Sequence, residues 1–277
     1  MRSLSGSAPR RSSVTISAPS DPLASFRLDD RLIVVTGASE GIGRAFAESF
    51  ARAGAFVVLA SRRKDKLESV RQAIVASGGR AEVVTTDVTR LEDIRILADA
   101  VGALAKENDR RLVLVNNAGF GFTKAALDTS EEEWDVLFDT HVRGTFFCSQ
   151  KIGAMMIARG YGKIVNMSSA WSEATDAGKS AYCAAKAAVS HLTAALSTEW
   201  APLGVRVNAL APTATMTDFT ARVMASNPDR AKRLLERIKL GRFAQPSDLL
   251  GAGVFLASGA SDFVTGQTLF VDGGFTT

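Results

Sequence analysis

Short runs of apolar residues alternate with longer segments of helical periodicity from Arg31 to the end of the chain. Most of the short runs are continuously apolar, as in strands that are buried on both faces. The predicted strands are Leu32–Val35, Phe56–Ala60, Ala81–Thr85, Leu112–Val115, Lys163–Met167, Val205–Leu210 and Thr268–Val271. The predicted helices are Ile42–Ala53, Lys64–Ser77, Leu91–Glu107, Glu131–Arg159, Ala181–Trp200 and Pro246–Ala257. This alternation predicts an α/β fold.

Strand–helix–strand repetition is typical of a parallel sheet that carries helices on both faces and has right-handed crossovers. We therefore predict a single doubly wound, Rossmann-type domain of about seven parallel strands, spanning residues 26–277. Ligands of such folds bind beyond the carboxyl ends of the strands. Residues 213–230, between the last two strands, mix apolar and polar side chains. We predict an irregular flap over the substrate there.

The beginning of the chain differs from the rest. Residues 1–20 are rich in Ser, Pro and Arg, have no acid before Asp21 and lack apolar periodicity. This composition predicts a disordered extension over residues 1–25. An acid-poor, Arg- and Ser-rich start also resembles an organelle transit peptide, although no amphipathic stripe supports that alternative. Without a long apolar segment of the secretory kind, a cytoplasmic location is expected.

Composition excludes several classes of protein. Hydrophobic residues make up 46% and charged residues 22% of the chain, as in soluble globular proteins, and no apolar run suggests a membrane span. Arg2, Arg10 and Arg11 supply three of the net +4 charges, so nucleic-acid binding is not expected. Cys148 and Cys183 are too few for a disulfide framework. Cys183 is either a reactive thiol or, as we expect, a small buried side chain. With two histidines and no clustered acids or cysteines, no metal site is predicted.

A glycine-rich turn follows the first predicted strand and leads directly into a helix. Gly37 permits the tight turn, Gly41 lets the backbone approach a pyrophosphate, and Gly43 allows close packing of the helix. The helix N-terminus offers free N–H groups to an anion. A lone glycine-rich turn is a weak signal, but this placement predicts a dinucleotide site. The other contact residues predicted in the turn are Ser39, Glu40 and Ile42.

The second predicted strand ends in Ser61, Arg62 and Arg63. An NAD site usually has an acid here for the ribose 2′-hydroxyl, whereas an NADP site supplies an arginine for the 2′-phosphate. Ser61 stands at the position of the acid, so NADP(H) is expected in preference to NAD(H). Glu40 argues mildly against this choice, since a basic residue in the turn would have supported it. A helix N-cap followed by surface arginines is the alternative, and both descriptions can hold together.

Several motifs occur in a fixed order, each after a predicted strand. They are the Thr36–Gly43 turn, Asn116-Asn117-Ala118-Gly119, Ser169, Tyr182-x-x-x-Lys186, and the closing segments Phe263–Gln267 and Val271–Gly274. Together they resemble the short-chain dehydrogenase/reductase family, from about Phe26 to Phe275. Any one of them could arise by chance, but this ordered set could not plausibly do so.

The resemblance implies further cofactor contacts. It places Asp87 and Val88 against the adenine ring, and it places the segment from Asn116 to Gly119 against the central sheet and the cofactor. The cofactor contacts that it implies near the nicotinamide and the sheet are Asn117, Ala118, Gly119, Pro212, Thr215, Thr217, Tyr182 and Lys186. Thr213 departs from the family, which usually has glycine after the proline.

Tyr182 and Lys186 are four residues apart on a predicted helix and therefore share a face. A phenol titrates near pH ~10 in isolation, and a neighbouring ammonium together with the positive nicotinamide ring is expected to lower that pKa. The phenol can then act as the acid or base of a ketone–alcohol interconversion. Ser169 is expected to bond the substrate oxygen. Ser168 is the neighbouring alternative, and the family spacing selects Ser169.

His141 stands where the family usually has an asparagine that holds a water of a proton relay to the lysine. A histidine can bond a water and shuttle protons, so we expect His141 to substitute in the relay and to titrate near ~6.5. The alternative is that its bulk obstructs the relay. The second histidine, His191, is expected to be ordinary helix surface or core.

These features predict an NADP(H)-dependent oxidoreductase that acts on a ketone or secondary alcohol of small to medium size, in the 3-oxoacyl, sugar-acid or cyclic ketone class. The alternative is a non-catalytic NADP(H)-binding sensor or scaffold. The side chains expected to face the substrate are Phe120, Trp171, Glu173, Met216 and Phe219. Small and apolar residues on more than one face of two long helices, and the family resemblance, predict a homodimer or homotetramer.

Overall fold

A computed structural model describes residues 21–277. Their strands form one parallel sheet of seven strands in the order β3-β2-β1-β4-β5-β6-β7, which confirms the predicted doubly wound fold. The strands are β1 (Arg31–Thr36), β2 (Phe56–Ser61), β3 (Arg80–Thr85), β4 (Arg111–Asn116), β5 (Gly162–Met167), β6 (Val205–Pro212) and β7 (Thr268–Val271). The order reverses between β1 and β4, which is where ligands of such sheets bind.

Helices cover both faces of the sheet. They are α1 (Gly41–Arg52), α2 (Lys64–Ala76), α3 (Leu91–Asn108), α4 (Glu131–Phe138), α5 (Gly144–Ala158), α6 (Ser180–Trp200), α7 (Asp218–Ser226), α8 (Pro228–Arg237) and α9 (Pro246–Ala257). No helix within residues 21–277 is long and apolar enough to cross a bilayer.

The apolar runs form strands that are covered on both sides. In β1, Ile33 and Val35 pack into one core and Leu32 and Val34 into the other, and all four side chains are fully buried. The first core includes Phe46, Phe50, Leu67, Leu249 and Leu256, which come from α1, α2 and α9. The second core includes Ile94, Leu97, Ile152, Met156 and Leu196, which come from α3, α5 and α6. Burying such a side chain contributes roughly 1.5–3 kcal/mol, so the apolar character of the strands fixes the layered architecture.

The segment predicted as one helix, Glu131–Arg159, is helical without a break as far as Ala158, but it is not a regular α-helix throughout. A π-helical turn, Asp139–Arg143, separates α4 from α5 and carries His141 into the interior. Its sequence contains no proline, and the glycine that follows it, Gly144, begins α5. A π-turn adds about one residue per turn without interrupting the apolar pattern, so periodicity alone does not reveal it.

The prediction that residues 213–230 are irregular is wrong. The helices α7 and α8 occupy most of this segment, and α8 continues to Arg237. Thr217 caps α7 by accepting a hydrogen bond from the Thr220 N–H. Asn227 caps α8 in the same way, and Pro228 occupies its first turn. These are ordinary helix-start signals, but each helix is too short for a convincing periodic pattern.

A short segment that includes a 3-10 helix precedes β1. Residues 1–20 of the predicted extension lie outside the described residues, whereas Ala24 and Ser25 belong to a 3-10 helix that ends at Phe26. The Phe26 ring lies 6.3 Å from that of Phe255 in α9. Leu28 is fully buried, so the segment before β1 packs onto the domain.

Candidate active site

The loops after β1 and β4 are joined by hydrogen bonds. The Thr36 hydroxyl accepts bonds from the Asn117 and Ala118 N–H groups, both at 3.0 Å. The Asn117 side chain donates to the carbonyl oxygens of Thr36 and Gly37 at 3.0 and 3.3 Å. Asn117 therefore fixes the shape of the glycine-rich turn from the neighbouring strand. Asn116 instead donates to Ser149 and Asn166 inside the sheet layer.

Two glycines of the turn adopt conformations that disfavour other residues. Gly37 and Gly41 have φ values of +67° and +57°, in the left-handed region. A Cβ on Gly43 would collide with the Gly37 carbonyl oxygen and the Asn117 side chain. At Gly41 a Cβ would lie 3.2 Å from the Thr217 side chain. Beyond the predicted packing of the helix, Gly43 is thus required by the turn itself, which forms an open cradle at the N-terminus of α1.

Charged residues surround the cradle. Arg63 donates to the Ser39 hydroxyl at 3.1 Å and pairs with Glu40 at 2.7 Å. Lys66 pairs with the other Glu40 oxygen at 3.0 Å. These two cations hold the pKa of the Glu40 carboxyl below its usual range, chiefly through the Arg63 hydrogen bond. Glu40 therefore does not leave an isolated negative charge at the site. Lys66 was missed by sequence reasoning, although its place in the first turn of the helix after Arg63 was a usable signal.

The end of β2 is suited to a ribose phosphate. The Ser61 hydroxyl oxygen is buried and has no hydrogen-bond partner among the described residues. Arg62 follows it and is exposed. A buried hydroxyl without a partner is costly, and a phosphate oxygen would accept its hydrogen bond. The residues present at this position therefore fit the 2′-phosphate of NADP(H).

Further predicted cofactor contacts surround the cradle. The Asp87 carboxylate accepts hydrogen bonds from the Thr89 N–H and hydroxyl at 3.0 and 2.8 Å, which shapes the loop after β3. Val88 is buried, and Ile42 packs against the core. The Thr86 N–H donates to the Ser61 carbonyl at 2.9 Å, so the loop after β3 lies beside the end of β2.

The segment after β6 approaches the cradle from the other side. Pro212 ends β6, and its carbonyl oxygen lies 3.3 Å from the Ser169 hydroxyl oxygen. Thr215 is buried, donates to the Thr213 carbonyl at 3.0 Å and pairs with Ala244. Thr213, at the family's usual glycine position, is accommodated as a buried residue of this turn. A Cβ built on Gly41 would lie 3.2 Å from the Thr217 side chain, so the loop after β6 lies against the turn after β1.

Ser169 rather than Ser168 has a hydroxyl next to the candidate acid/base. The Ser168 hydroxyl lies 2.6 Å from that of Ser190 and donates to the Lys186 carbonyl at 3.2 Å, so it is engaged inside the protein. The Ser169 hydroxyl donates to the Pro212 carbonyl at 3.3 Å. It lies near enough to Tyr182 to oppose, in part, the rise that burial causes in the pKa of the phenol. The spacing argument and the geometry therefore agree on Ser169.

Tyr182 and Lys186 share one face of α6, as predicted. The Lys186 Nζ lies 5.7 Å from the centre of the Tyr182 ring and donates to the Met167 carbonyl at 2.6 Å. Burial lowers the pKa of Lys186 to about 7. The prediction of a lowered phenol pKa is wrong for the protein alone, because burial raises the pKa of Tyr182 to about 12. Burial outweighs the opposing effect of the Ser169 hydroxyl.

His141 is buried beside these residues but is not free to titrate. Its Nε2 atom lies 2.6 Å from the Phe120 carbonyl oxygen, and its ring meets the Tyr182 ring edge-on at 5.6 Å. Burial, together with the charge of Lys186, lowers the pKa of His141 to about 3. The expectation that it titrates near ~6.5 is therefore wrong. The short contact fits a neutral ring that donates from Nε2 to this carbonyl, so Nε2 bonds the protein. His191, by contrast, is exposed on α6.

The residues expected to face the substrate lie in different environments. Phe120 and Phe219 are 40% and 51% exposed, which is compatible with the walls of an open cleft. Trp171 is buried, and its ring packs against Phe275 at 5.0 Å. Glu173 is exposed and Met216 is partly buried. Trp171 therefore belongs to a packed cluster beneath α8.

One charged residue near Tyr182 was missed. Lys179 precedes α6, and its Nζ lies 5.3 Å from the centre of the Tyr182 ring. It donates to the Phe122 carbonyl at 2.7 Å. The spacing of three residues from Tyr182, one helical turn, was an available signal.

Fold and geometry together define a dinucleotide-binding α/β protein with a Ser–Tyr–Lys arrangement at the carboxyl edge of its sheet. A family model described as enoyl-(acyl carrier protein) reductase matches residues 37–276. Gluconate 5-dehydrogenase of Gluconobacter oxydans (strain 621H) is 40% identical over 251 residues, which cover 91% of this chain and 96% of that protein. The chain therefore belongs to the short-chain dehydrogenase/reductase family.

Other relatives vary in substrate and cofactor. The NAD-dependent glycerol dehydrogenase of Listeria innocua serovar 6a is 37% identical, over 91% of this chain and 96% of that protein. A crystal structure of a gluconate 5-dehydrogenase from Burkholderia cenocepacia J2315 in complex with NADP and tartrate superimposes with a TM-score of 0.86. It is 35% identical and covers 92% of this chain and 99% of that one.

Proposed function

We propose that this chain is an NADP(H)-dependent oxidoreductase that interconverts a secondary alcohol and a ketone on a polyhydroxy substrate. The observation that carries the proposal is the clustering of Ser169, Tyr182 and Lys186 beside the cradle of α1. Relatives that act on gluconate and glycerol support the substrate class. Sugar acids and polyols therefore take precedence over oxoacyl thioesters and cyclic ketones.

The residues of the site divide the work of proton transfer. NADP(H), when bound, supplies or accepts the hydride. Ser169 donates a hydrogen bond to the substrate oxygen and orients it. Tyr182 gives its phenol proton to that oxygen during reduction and takes it back during oxidation. Burial, which raises the pKa of Tyr182 to about 12 in the protein alone, keeps the phenol protonated but makes it a weak acid. Oxidation requires the phenolate, which the Lys186 ammonium beside the ring stabilises.

His141 acts in this scheme as a positioning residue. Its bond to the Phe120 carbonyl and its edge contact with Tyr182 hold the loop after β4 against the phenol. Gly119 leaves room for it, because a Cβ there would collide with the imidazole. This role replaces both the expected water relay and the alternative of obstruction.

The cofactor preference follows from the end of β2. Ser61, Arg62 and Arg63 would hold the 2′-phosphate, and the turn from Gly37 to Gly43 would receive the pyrophosphate. The NADP complex of a 35% identical relative supports this assignment. Another relative is NAD-dependent, so membership of the family does not decide between the two cofactors. The preference for NADP(H) is therefore assigned to the side chains at the end of β2.

A direct assay separates an enzyme from a binding protein. Purified protein is mixed with NADPH and a panel of oxidised sugar acids and ketoses, or with NADP⁺ and the corresponding alcohols, and absorbance at ~340 nm is followed. An enzyme consumes or forms NADPH with at least one substrate pair. Tight NADPH binding without turnover across the whole panel would favour the sensor or scaffold.

We propose a homodimer or homotetramer in a reducing, cytoplasmic compartment. Both cysteines are free thiols, with Cys148 buried and Cys183 within 3.6 Å of the Ala174 carbonyl, which supports the reducing compartment and a packing role for Cys183. Trp134 and Val136 on α4 are 41% and 53% exposed and offer apolar surface to a second copy. Sedimentation equilibrium tests the assembly, and a mass equal to one chain would contradict it.

A further inference from the structure

Two cations outside the Ser–Tyr–Lys set lie next to it. Lys179 reaches the Phe122 carbonyl, and its Nζ lies over the face of Tyr182. A Cβ built on Gly121 would lie 3.4 Å from the Tyr182 ring and 3.9 Å from the Lys179 Nζ. The ammonium, the backbone of Gly121 and the phenol therefore border one small space. The proton-transfer scheme gives Lys179 no task.

Arg230 approaches the same region from α8. It lies in the first turn of that helix, and its guanidinium bonds the Thr123 hydroxyl in the loop after β4. Another guanidinium nitrogen lies 3.6 Å from the Asp176 carboxylate. The Arg230 side chain is only 11% exposed, and its Nε is buried without a hydrogen-bond partner among residues 21–277. A buried charged donor of this kind calls for an acceptor that the described part of the chain does not supply.

The charges around these residues are unbalanced. Lys179 bonds the carbonyl of Phe122, and Arg230 bonds the hydroxyl of the adjacent Thr123, so the two cations lie in the same region. Asp176 is the acid paired with Arg230, which leaves one net positive charge. Burial, followed by the charge of Arg230, lowers the pKa of Lys179 to about 8, while Asp176 and Cys183 act in the opposite direction. A monoanion would balance the cluster, and a carboxylate suits both an ammonium and the planar guanidinium fork.

We propose that Lys179 and Arg230 form a carboxylate-binding site beside Tyr182, which makes this enzyme selective for sugar acids over neutral polyols. The inference rests on the proposed function and assigns it a substrate class. A carboxylate held there would contact both the start of α6 and the first turn of α8.

Matched substrate pairs test the proposal. D-gluconate and D-glucitol differ at C1, where one has a carboxylate and the other a hydroxymethyl group, and glycerate and glycerol form a shorter pair. We expect kcat/KM with NADP⁺ to favour the acid of at least one pair by tenfold or more. Lys179→Met and Arg230→Met should each lower the acid-to-alcohol ratio by about 10–100-fold, since a hydrogen bond to a charged group is lost. Lys179→Arg should retain most of the ratio.

Lys232→Met is the control, because Lys232 is exposed on the same helix as Arg230. The acid-to-alcohol ratio of kcat/KM in this variant should match that of the unmodified enzyme. If Arg230→Met lowered kcat/KM equally for the acid and the alcohol, Arg230 would only hold α8 in place, and the proposal would be overturned. The proposal would also be overturned by an unmodified enzyme that prefers the neutral alcohol in both pairs.

Calorimetric titration of each acid and alcohol into the NADP⁺ complex tests the carboxylate site separately from the proposed oxidoreductase activity. If turnover is absent but acids bind more tightly and Lys179→Met removes the difference, the proposed function fails and the carboxylate site stands. If turnover is present and acids have no binding advantage, the carboxylate site fails alone. The acid KM should also rise above pH ~8 as Lys179 loses its proton, whereas the titrations of Lys186 and Tyr182 affect acid and alcohol alike.

Discussion

At the scale of single residues, burial and neighbouring charges change the pKa values of the site residues more than residue type does. Lys179 and Lys186 both have lowered pKa values, about 8 and about 7, because each is buried. His141, a residue type that normally titrates near neutrality, is instead held neutral by burial and by the charge of Lys186. None of these shifts can be read from the sequence, because each depends on neighbours that the fold brings together.

Cofactor choice is a residue-scale prediction. In the double variant Ser61→Asp/Arg62→Ile, the carboxylate repels the 2′-phosphate and can bond the ribose 2′-hydroxyl instead. We expect the unmodified protein to bind NADPH at least tenfold more tightly than NADH, and the variant to narrow or reverse that ratio in fluorescence titrations. Arg52→Ile is the control, since Arg52 is exposed at the opposite end of α1. Equal affinities in the unmodified protein would mean that Arg62 never reaches the phosphate.

His141 should couple stability to pH. Its folded-state pKa of about 3 lies below the ordinary histidine value of 6.5, so the unfolded chain binds the proton more readily. The free energy of unfolding therefore falls as pH decreases from ~6.5 toward ~3, by at most about 1.4 kcal/mol per pH unit. Urea unfolding at several pH values should show a shallower dependence for His141→Asn. His191→Asn changes the exposed histidine and should keep the original slope. Identical slopes for all three proteins would refute the buried, neutral assignment.

At the scale of elements, the sequence predicted strands and long helices well, because continuous apolar runs and amphipathic stripes follow directly from burial. It predicted the helical character of Asp139–Arg143 but not the π-turn, which leaves the apolar pattern unbroken. It failed at α7 and α8, because these helices are short, although their capping residues Thr217 and Asn227 were visible. The candidate set Ser169, Tyr182 and Lys186 was predictable from motif spacing. Spacing could also have found Lys66 and Lys179, whereas Arg230 depends on contacts between distant segments.

The glycine-rich turn gives a prediction about an element. Gly43→Ala adds a methyl group that collides with the Gly37 carbonyl and the Asn117 side chain, so the cradle must distort. We expect at least a tenfold loss of NADPH affinity in a fluorescence titration. Gly251→Ala is the control, because a Cβ at this exposed position in α9 meets no atom within 4 Å. It should keep the affinity and gain up to ~1 kcal/mol of stability. Unchanged affinity in Gly43→Ala would show that the turn does not hold the cofactor.

At the scale of the whole molecule, the doubly wound sheet brings distant segments to one edge. The cradle follows β1, Asn117 follows β4, Ser169 follows β5, and Thr217 follows β6. The strand order places these ends side by side, and α8 adds Arg230 from above the same edge. Fold class and the location of the site thus follow from topology, while selectivity comes from the side chains of the loops and short helices.

The central claim is that Tyr182 transfers the substrate proton during NADP(H)-linked turnover. Tyr182→Phe removes only the hydroxyl, and Tyr161→Phe is its natural control, because Tyr161 is the other tyrosine of the chain and bonds Asp262 instead. The decisive measurement is kcat together with NADPH affinity in both variants.

We expect Tyr182→Phe to bind NADPH normally and to lose about 10²–10⁴-fold in kcat, while Tyr161→Phe keeps its turnover. A Tyr182→Phe protein that turns over at the rate of the unmodified enzyme would contradict the account.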